Sequence, residues 1–324
     1  MIARGKRLSG LTLPDCPGEI SSIVPALGAM LRCYGGRVDV AELACVTGTA
    51  FLLSYSAKAE RWGYWNVCGA QAFLESAARL YGLELRDLHP AEAAPLPFSP
   101  PEFEAHWRDS YRPFVDSSLS RDEPVLVWMG WPAPYESQWG VLAGRDAATG
   151  RYVGRTAGCG QELTLKFAPA QVYSVVGNER RRPSPAELAE ATLAAAAAVL
   201  GNRLPTGMEA LSGPGALERL RDLKEGTGFA GVRLDAIRFG CCRAMSVGRQ
   251  AAVDFLSGHD EPMEPRIGRA VESLRRILRR QIELIGSLDD PGDLSARANA
   301  SFFERLIGLE SEAAEATRSA AGGG

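Results

Sequence analysis

The sequence predicts an α+β protein of two domains, a mixed domain over residues 1–178 and an all-α domain over residues 179–324. Its 324 residues are enough for about two domains of ordinary size. All six Trp and all eight Tyr lie before residue 178, whereas the remainder is rich in Ala, Leu, Arg and Glu. Between the two parts, residues 177–185 are polar and interrupted by proline, a composition typical of a linker.

The first domain is predicted to begin with helices and to continue as a largely antiparallel sheet. Residues 22–34 carry apolar side chains at helical spacing, and the glycines that follow favour a helix stop. Residues 69–81 repeat this pattern before Gly82. Five short β-rich runs separated by turn residues then predict strands, at residues 124–129, 138–143, 151–155, 162–165 and 171–176.

The second domain is predicted to be helical throughout. The helix at 229–256 carries apolar residues on two faces, which predicts burial on both sides. The helix at 267–288 bears four arginines between positions 275 and 280, flanked by glutamates. We interpret this stripe as a solvated, self-paired face, with an anionic-ligand or partner surface as the alternative. The five predicted helices cover residues 185–200, 214–223, 229–256, 267–288 and 294–317.

Composition and charge exclude several classes of function. Lys and Arg number 36 against 39 Asp and Glu, a net charge of −3, so there is no basic surplus for nucleic acid. No apolar stretch approaches the roughly 20 residues of a membrane helix, so we expect a cytoplasmic protein with no membrane partner. Seven Cys without a C-x-x-C pair predict no metal site. No phosphate-cradling glycine motif is present, and no cofactor is predicted.

Three segments carry a resemblance to a known family. Residues 21–35, SSIVPALGAMLRCYG, resemble the first helix of the bacteriocin-processing cysteine peptidases and, more closely, that of the N-terminal domain of the butirosin biosynthesis protein H family. Residues 37–43 are similar to the segment after that helix, and residues 123–128 with 138–146 resemble the family's paired strands. The resemblance covers about residues 12–178. It implies a papain-like fold and an acyltransferase that moves an aminoacyl group from a carrier protein to an amine.

Papain-like catalysis needs a thiol at a helix N-terminus, a facing His that takes its proton, and a residue that orients the His. By the resemblance, the nucleophile position falls on Ser22 and the His position on Gln138. The orienting position falls near Arg155 or Thr156. None of the three expected residues is therefore present.

Cys16 is the alternative nucleophile, because it lies just before the helix and would feel the helix dipole if the helix begins at Pro17. The backbone N–H groups of the helix start would then serve as oxyanion donors. The structural interpretations are a buried or exposed Cys16 without chemistry and an N-cap hydroxyl at Ser22.

Aromatic residues are the second informative feature of the first domain. Trp and Tyr combine a large apolar body with a polar tip, so several of them on loops would form a stacking pocket for a flat or acyl ligand. Core packing is the alternative explanation for these rings. The predicted lining comprises Phe51, Tyr55, Trp62, Trp65, Trp131 and Trp139, with Glu136, Gln138 and Arg155 as polar groups at the rim.

Two functions remain open at this point. The preferred hypothesis is an acyl-transfer or amide-bond forming or cleaving enzyme of bacterial specialised metabolism, because a whole cleft is seldom kept without use. The alternative is a triad-less papain-like protein that binds a small molecule or peptide without catalysis. The expected partner is a small-molecule or acyl substrate, free or bound to a carrier protein. Whether the helical domain is a lid, a homodimer interface or a packing partner is left open.

Overall fold

The chain divides into two units in the computed structural model, which describes residues 11–18, 20–56, 61–63, 73–87, 100–179, 181–202, 210–225, 237–258, 263–288 and 294–321. The first unit comprises Met1–Gly18, Ser22–Val40 and Ala78–Arg182. The second comprises Glu19–Ser21, Ala41–Ala77 and Pro183–Gly324. The boundary after Arg182 falls within the predicted linker. Residues 41–77 belong to the second unit, although the division made from the sequence places them in the first domain.

The elements of the described chain are numbered in chain order. The helices are α1 (Ile23–Cys33), α2 (Val40–Val46), α3 (Leu74–Leu80), α4 (Pro100–His106), α5 (Arg112–Ser120), α6 (Pro185–Leu200), α7 (Gly213–Glu225), α8 (Ser246–Ser257), α9 (Pro265–Gly286), α10 (Leu294–Arg297) and α11 (Ala300–Ala321). The strands are β1 (Ser54–Ser56), β2 (Arg61–Gly63), β3 (Leu83–Asp87), β4 (Val125–Trp128), β5 (Trp139–Arg145), β6 (Tyr152–Thr156), β7 (Leu163–Thr164), β8 (Gln171–Asn178) and β9 (Ala210–Ser212). Two π-helical segments are Trp107–Tyr111 and Ile237–Met245, and Thr49–Phe51 is a 3₁₀ turn.

A six-stranded antiparallel sheet organises the first unit and confirms the predicted α+β class. Its strand order is β3-β8-β4-β5-β6-β7. Both faces are covered, because Val125, Leu126 and Val127 of β4 are all fully buried while their side chains alternate between the faces. Val125 and Val127 pack in a cluster with Tyr111 and Val115. Helix α1 packs against β4 and β5.

Glycines end α1 as the sequence predicts. The N–H of Gly36 donates to the carbonyl of Leu31, and the N–H of Gly35 donates to the carbonyl of Arg32, both at 2.9 Å. Gly35 has a φ of +81°, the left-handed conformation that favours glycine. This pair of bonds is the Schellman motif, which satisfies carbonyls that a helix end otherwise leaves unpaired.

The second unit is built mainly of helices. Helix α11 packs against α6, α7 and α9, and α9 packs against α8. Helix α6 begins at a capping box formed by Ser184 and Glu187. The all-α prediction for residues 179–324 is incomplete, because β9 joins β1 and β2 in a small antiparallel sheet of order β2-β1-β9. Three residues are too short a run to show periodicity, so this strand left no signal in the sequence.

The long helix predicted at 229–256 is described from Ile237 onward. It runs as the π-helical segment Ile237–Met245 and continues as α8. Residues 229–236 lie outside the described residues. In the described part of the chain, no helix has both the length and the apolar character required to cross a bilayer.

Candidate functional site

A hydrogen bond joins the start of α1 to the start of β5. Ser22 occupies the N-cap position of α1, and its Oγ accepts the backbone N–H of Trp139 at 3.0 Å. Gln138 directly precedes Trp139 and is half-buried. Ser22 therefore lies beside the strand start that follows Gln138, although 117 positions separate Ser22 from Trp139 along the chain.

The Ser22 hydroxyl is arranged as a structural acceptor. Its side chain makes no capping bond to the helix, which corrects the expectation of an N-cap hydroxyl. The reason is conformational: Ser22 has helical φ and ψ of −58° and −16°, whereas a capping side chain requires an extended backbone. Among the residues that the structure describes, no His, Asp or Glu side chain is hydrogen-bonded to this hydroxyl. A serine without a base has an ordinary hydroxyl that is a weak nucleophile.

Packed side chains surround the tip of α1. The five residues from Ile20 to Val24 are each at most 8% exposed, and Ser22 itself is 5% exposed. An oxyanion hole needs N–H groups that face a space where substrate can sit. Within the part of the chain that the structure describes, the residues at the tip are therefore covered rather than open to solvent.

Cys16 is half-buried in an irregular segment that precedes α1. The helix begins at Ile23, and residues 11–17 are not helical. The condition that would place the thiol at the helix tip, a helix beginning at Pro17, is therefore not met.

The two predicted lining tryptophans of the first unit lie on opposite faces of the sheet. Trp139 is 1% exposed and stacks on Trp128 with ring centroids 6.3 Å apart. Trp131 is fully buried in the cluster that holds Val127. Since Trp139 pairs with Trp128, the neighbour of Val127 along β4, the two faces differ. The core interpretation therefore applies to both rings, and they do not line one pocket.

Both tryptophans leave a polar atom without a partner. The indole Nε1 atoms of Trp131 and Trp139 are buried and form no hydrogen bond within the described structure. The Oγ1 of Thr156, which pairs with Gly140 across β5 and β6, is in the same condition.

Apart from these two tryptophans, the predicted aromatic lining residues belong to the second unit. Phe51 is fully buried in the second unit beneath the guanidinium of Arg249, which lies 5.7 Å from its ring centroid. Tyr55 and Trp62 are opposite each other on β1 and β2 of that unit. Trp65 lies outside the described residues.

The polar rim residues belong to the first unit. Glu136 is exposed in the turn before β5. Arg155 is half-buried, and its Nη1 donates to the carbonyl of Gly160 at 3.0 Å, so it ties down the turn that follows β6. Among the hydrogen bonds of the described residues, none joins either side chain to Ser22 or Trp139.

Sequence reasoning missed a pocket at the opposite end of α1. This pocket of about 390 Å³ lies within the first unit, between the C-terminal end of α1, the start of β3 and the segment after β8. A run of arginines at positions 180–182 was its signal in the sequence, which we interpreted only as part of a linker. Its principal lining residues are Tyr34, Tyr81, Leu83, Arg37, Arg181 and Arg182.

No protein-family model matches the sequence, and no curated protein matches it significantly. The likeness to the butirosin biosynthesis protein H family therefore depends on the quoted segments alone.

Proposed function

We propose that this chain is a binding protein without catalysis, built on a papain-like first domain. In this proposal Ser22, at the family's nucleophile position, has a structural role. The observation that carries the proposal is the hydrogen bond from the Trp139 N–H to the Ser22 Oγ within a buried helix tip. Among the described residues, this hydroxyl has no hydrogen-bonded base, and the residues around it are buried, an arrangement that favours a structural role over catalysis.

The papain-like assignment is supported by an arrangement of elements rather than by identical residues. Helix α1 directs its N-terminus at the start of β5 in an antiparallel sheet, as the resemblance implies for a nucleophile helix and a base strand. Gln138 at the base position carries an amide, which neither takes up nor releases a proton at neutral pH. The same architecture can therefore hold its shape without the chemistry.

The competing enzyme hypothesis is tested by trapping an acyl intermediate. Full-length protein is incubated with p-nitrophenyl acetate and, separately, with an acetyl thioester of N-acetylcysteamine, and its intact mass is followed over time. We expect no acyl adduct that depends on Ser22 or Cys16. A stoichiometric adduct that forms in the wild type and disappears in Ser22→Ala or Cys16→Ala would overturn the proposal.

A second measurement concerns the reactivity of the thiol. An ordinary thiol has a pKa near 8.5 and is mostly protonated at pH 6, so it reacts slowly with iodoacetamide there. We expect Cys16 to be alkylated at pH 6 no faster than cysteines of the urea-unfolded chain. Rapid, selective labelling of Cys16 would restore the enzyme hypothesis.

The structural role of Ser22 predicts a loss of stability in Ser22→Ala. The variant leaves the buried Trp139 N–H without its acceptor, which costs about 1–3 kcal/mol of unfolding free energy. Ser311→Ala is the matched control, because that serine is exposed on α11 and bonds only to its own helix. Equal unfolding free energies for Ser22→Ala and wild type in urea would contradict the structural role of Ser22.

A further inference from the structure

We infer that the pocket at the C-terminal end of α1 binds a phosphate monoester attached to a small organic body. This inference rests on the proposed binding function and names the class of ligand. Three arginines, Arg37, Arg181 and Arg182, line the pocket, and its described lining includes no acidic residue. Net positive charge enclosed on one side of a pocket favours a dianion over a singly charged carboxylate.

Two of these guanidinium groups are available to a ligand. Arg37 and Arg182 are exposed and form no ion pair with any residue that the structure describes. Arg181 already takes part in an interaction within the chain, so we assign it a supporting role only. The planar guanidinium fork presents paired N–H donors that match the spacing of phosphate oxygens.

The rest of the wall suits an organic body. Tyr81 and Leu83 are buried side chains that line the pocket, and the ring of Tyr34 adds to this apolar surface. A volume of about 390 Å³ lies at the lower end of the range for small-molecule sites. The pocket therefore suits a compound of sugar-phosphate or aryl-phosphate size rather than a folded macromolecule.

The arginine-bearing segment is held against β3 by backbone contacts. The N–H of Glu179 donates to the carbonyl of Gly82 at 2.8 Å. Gly82 has a φ of +82°, and a Cβ there would lie 1.9 Å from the Glu179 carbonyl oxygen. Such close approach requires glycine, and it sets the position at which the chain leaves β8 toward Arg181. This contact fixes the backbone at Glu179, at the edge of the pocket wall.

The dipole of helix α1 opposes the binding of an anion in this pocket. The C-terminal end of a helix carries a partial charge of about −0.5. At α1, the carbonyls of Leu31 and Arg32 already accept the N–H groups of Gly36 and Gly35, which reduces their field. The full positive charges of Arg37 and Arg182 on the pocket wall outweigh this partial charge.

The test is a titration of the full-length protein with phenyl phosphate, in which binding is measured by isothermal titration calorimetry. We expect saturable binding that weakens as the salt concentration rises, because exposed charges are screened. Arg37→Ala and Arg182→Ala should each weaken binding about tenfold or more, since each removes charge-assisted hydrogen bonds. Arg32→Ala is the matched control, because Arg32 is exposed on the last turn of α1 but does not line the pocket. It should change the affinity less than twofold.

Inorganic phosphate and benzoate test separately whether the pocket recognises the organic body and the second negative charge of the ligand. We expect phenyl phosphate to bind more tightly than either, because phosphate lacks the body and benzoate lacks the second charge. No saturable binding of phenyl phosphate at millimolar concentration would overturn the inference. So would equal binding of benzoate, equal binding of inorganic phosphate, or unchanged affinity in both pocket variants. Circular dichroism confirms that each variant is folded.

Failure here is distinguishable from failure of the proposed function. A chain that neither binds phenyl phosphate nor forms an acyl adduct refutes the ligand class but leaves the absence of catalysis intact. An adduct dependent on Ser22 or Cys16 refutes the proposed function whatever the calorimetry shows.

Discussion

Removal of Glu310 should destabilise the second unit more than removal of any exposed charge. Glu310 lies on α11, and its Oε1 accepts the Nη2 of Arg249 at 2.7 Å. Its Oε2 accepts the amide of Gln281 at 2.6 Å. Arg249 also donates to the Gln281 amide oxygen at 3.0 Å and to the carbonyl of Ala50 at 2.6 Å. The side chains of Arg249, Gln281 and Glu310 are all 0% exposed.

The expected magnitude follows from this burial. Glu310→Ala leaves a guanidinium in the core without its anion, and breaking a buried ion pair in this way costs about 3–5 kcal/mol. The double variant Arg249→Met with Glu310→Met removes both charges and fills a similar volume. It leaves only the Ala50 carbonyl and the Gln281 amide unsatisfied, at about 1–3 kcal/mol each, and gains apolar contacts. The double variant should therefore be less destabilised than the sum of the two single variants.

The assay is urea unfolding followed by far-ultraviolet circular dichroism, which reports on the helices of this unit. The matched control is Arg280→Met with Glu312→Met, because that pair joins the same two helices, α9 and α11, at 2.7 Å with side chains about half exposed. An exposed pair contributes at most about 1 kcal/mol. A Glu310→Ala cost no larger than the control would refute the reasoning, as would a double-variant cost equal to the sum of the single costs.

Three further predictions concern pH, a glycine and a helix cap. Burial raises the pKa of Glu310 despite its partners. The contribution of this carboxyl group to the unfolding free energy is therefore complete below its ordinary pKa of about 4.3 and is lost as the pH rises through the raised pKa. The unfolding free energy of wild type should fall relative to that of Glu310→Gln with rising pH, and an increase would contradict this. In urea unfolding, Gly82→Ala should lower the unfolding free energy several times more than Gly150→Ala, for which we expect a loss of roughly 1 kcal/mol. Both glycines have positive φ, but a Cβ at Gly82 would collide with Glu179, whereas Gly150 has open space around it. Ser184→Ala should lower the unfolding free energy by about 1 kcal/mol through loss of the α6 capping box, and a thermal midpoint equal to wild type would be the contrary result.

Local patterns in the sequence predicted most of the elements near the candidate site. The valine-rich run at 124–129 and the alanine-rich run at 185–200 appear as β4 and α6, with bounds within a residue or two of the expected ones. Glycines at 35 and 36 end α1 as expected, because a helix stop depends on a few neighbouring residues. The antiparallel sheet also follows from short strands joined by short turns.

The tertiary structure decided which of these elements serve a site. Trp131 and Trp139 are the same residue type in neighbouring segments, yet they pack on opposite faces of the sheet. Residues 41–77 pack with the helical unit although their composition matches the first domain. The buried charge network around Glu310 left no sequence signal, because charged side chains are normally expected on the surface.

The sequence by itself determined the class of fold, helix α1 with its glycine stop, and the strands β4 to β8, but not β1, β2, β9, α4 or α5. Only the tertiary structure decided that the Ser22 hydroxyl accepts the Trp139 N–H and that arginines gather at the other end of α1. The physical reason is range. Helix and strand periodicity arises between residues a few positions apart, whereas burial and hydrogen-bond partners depend on residues more than a hundred positions away.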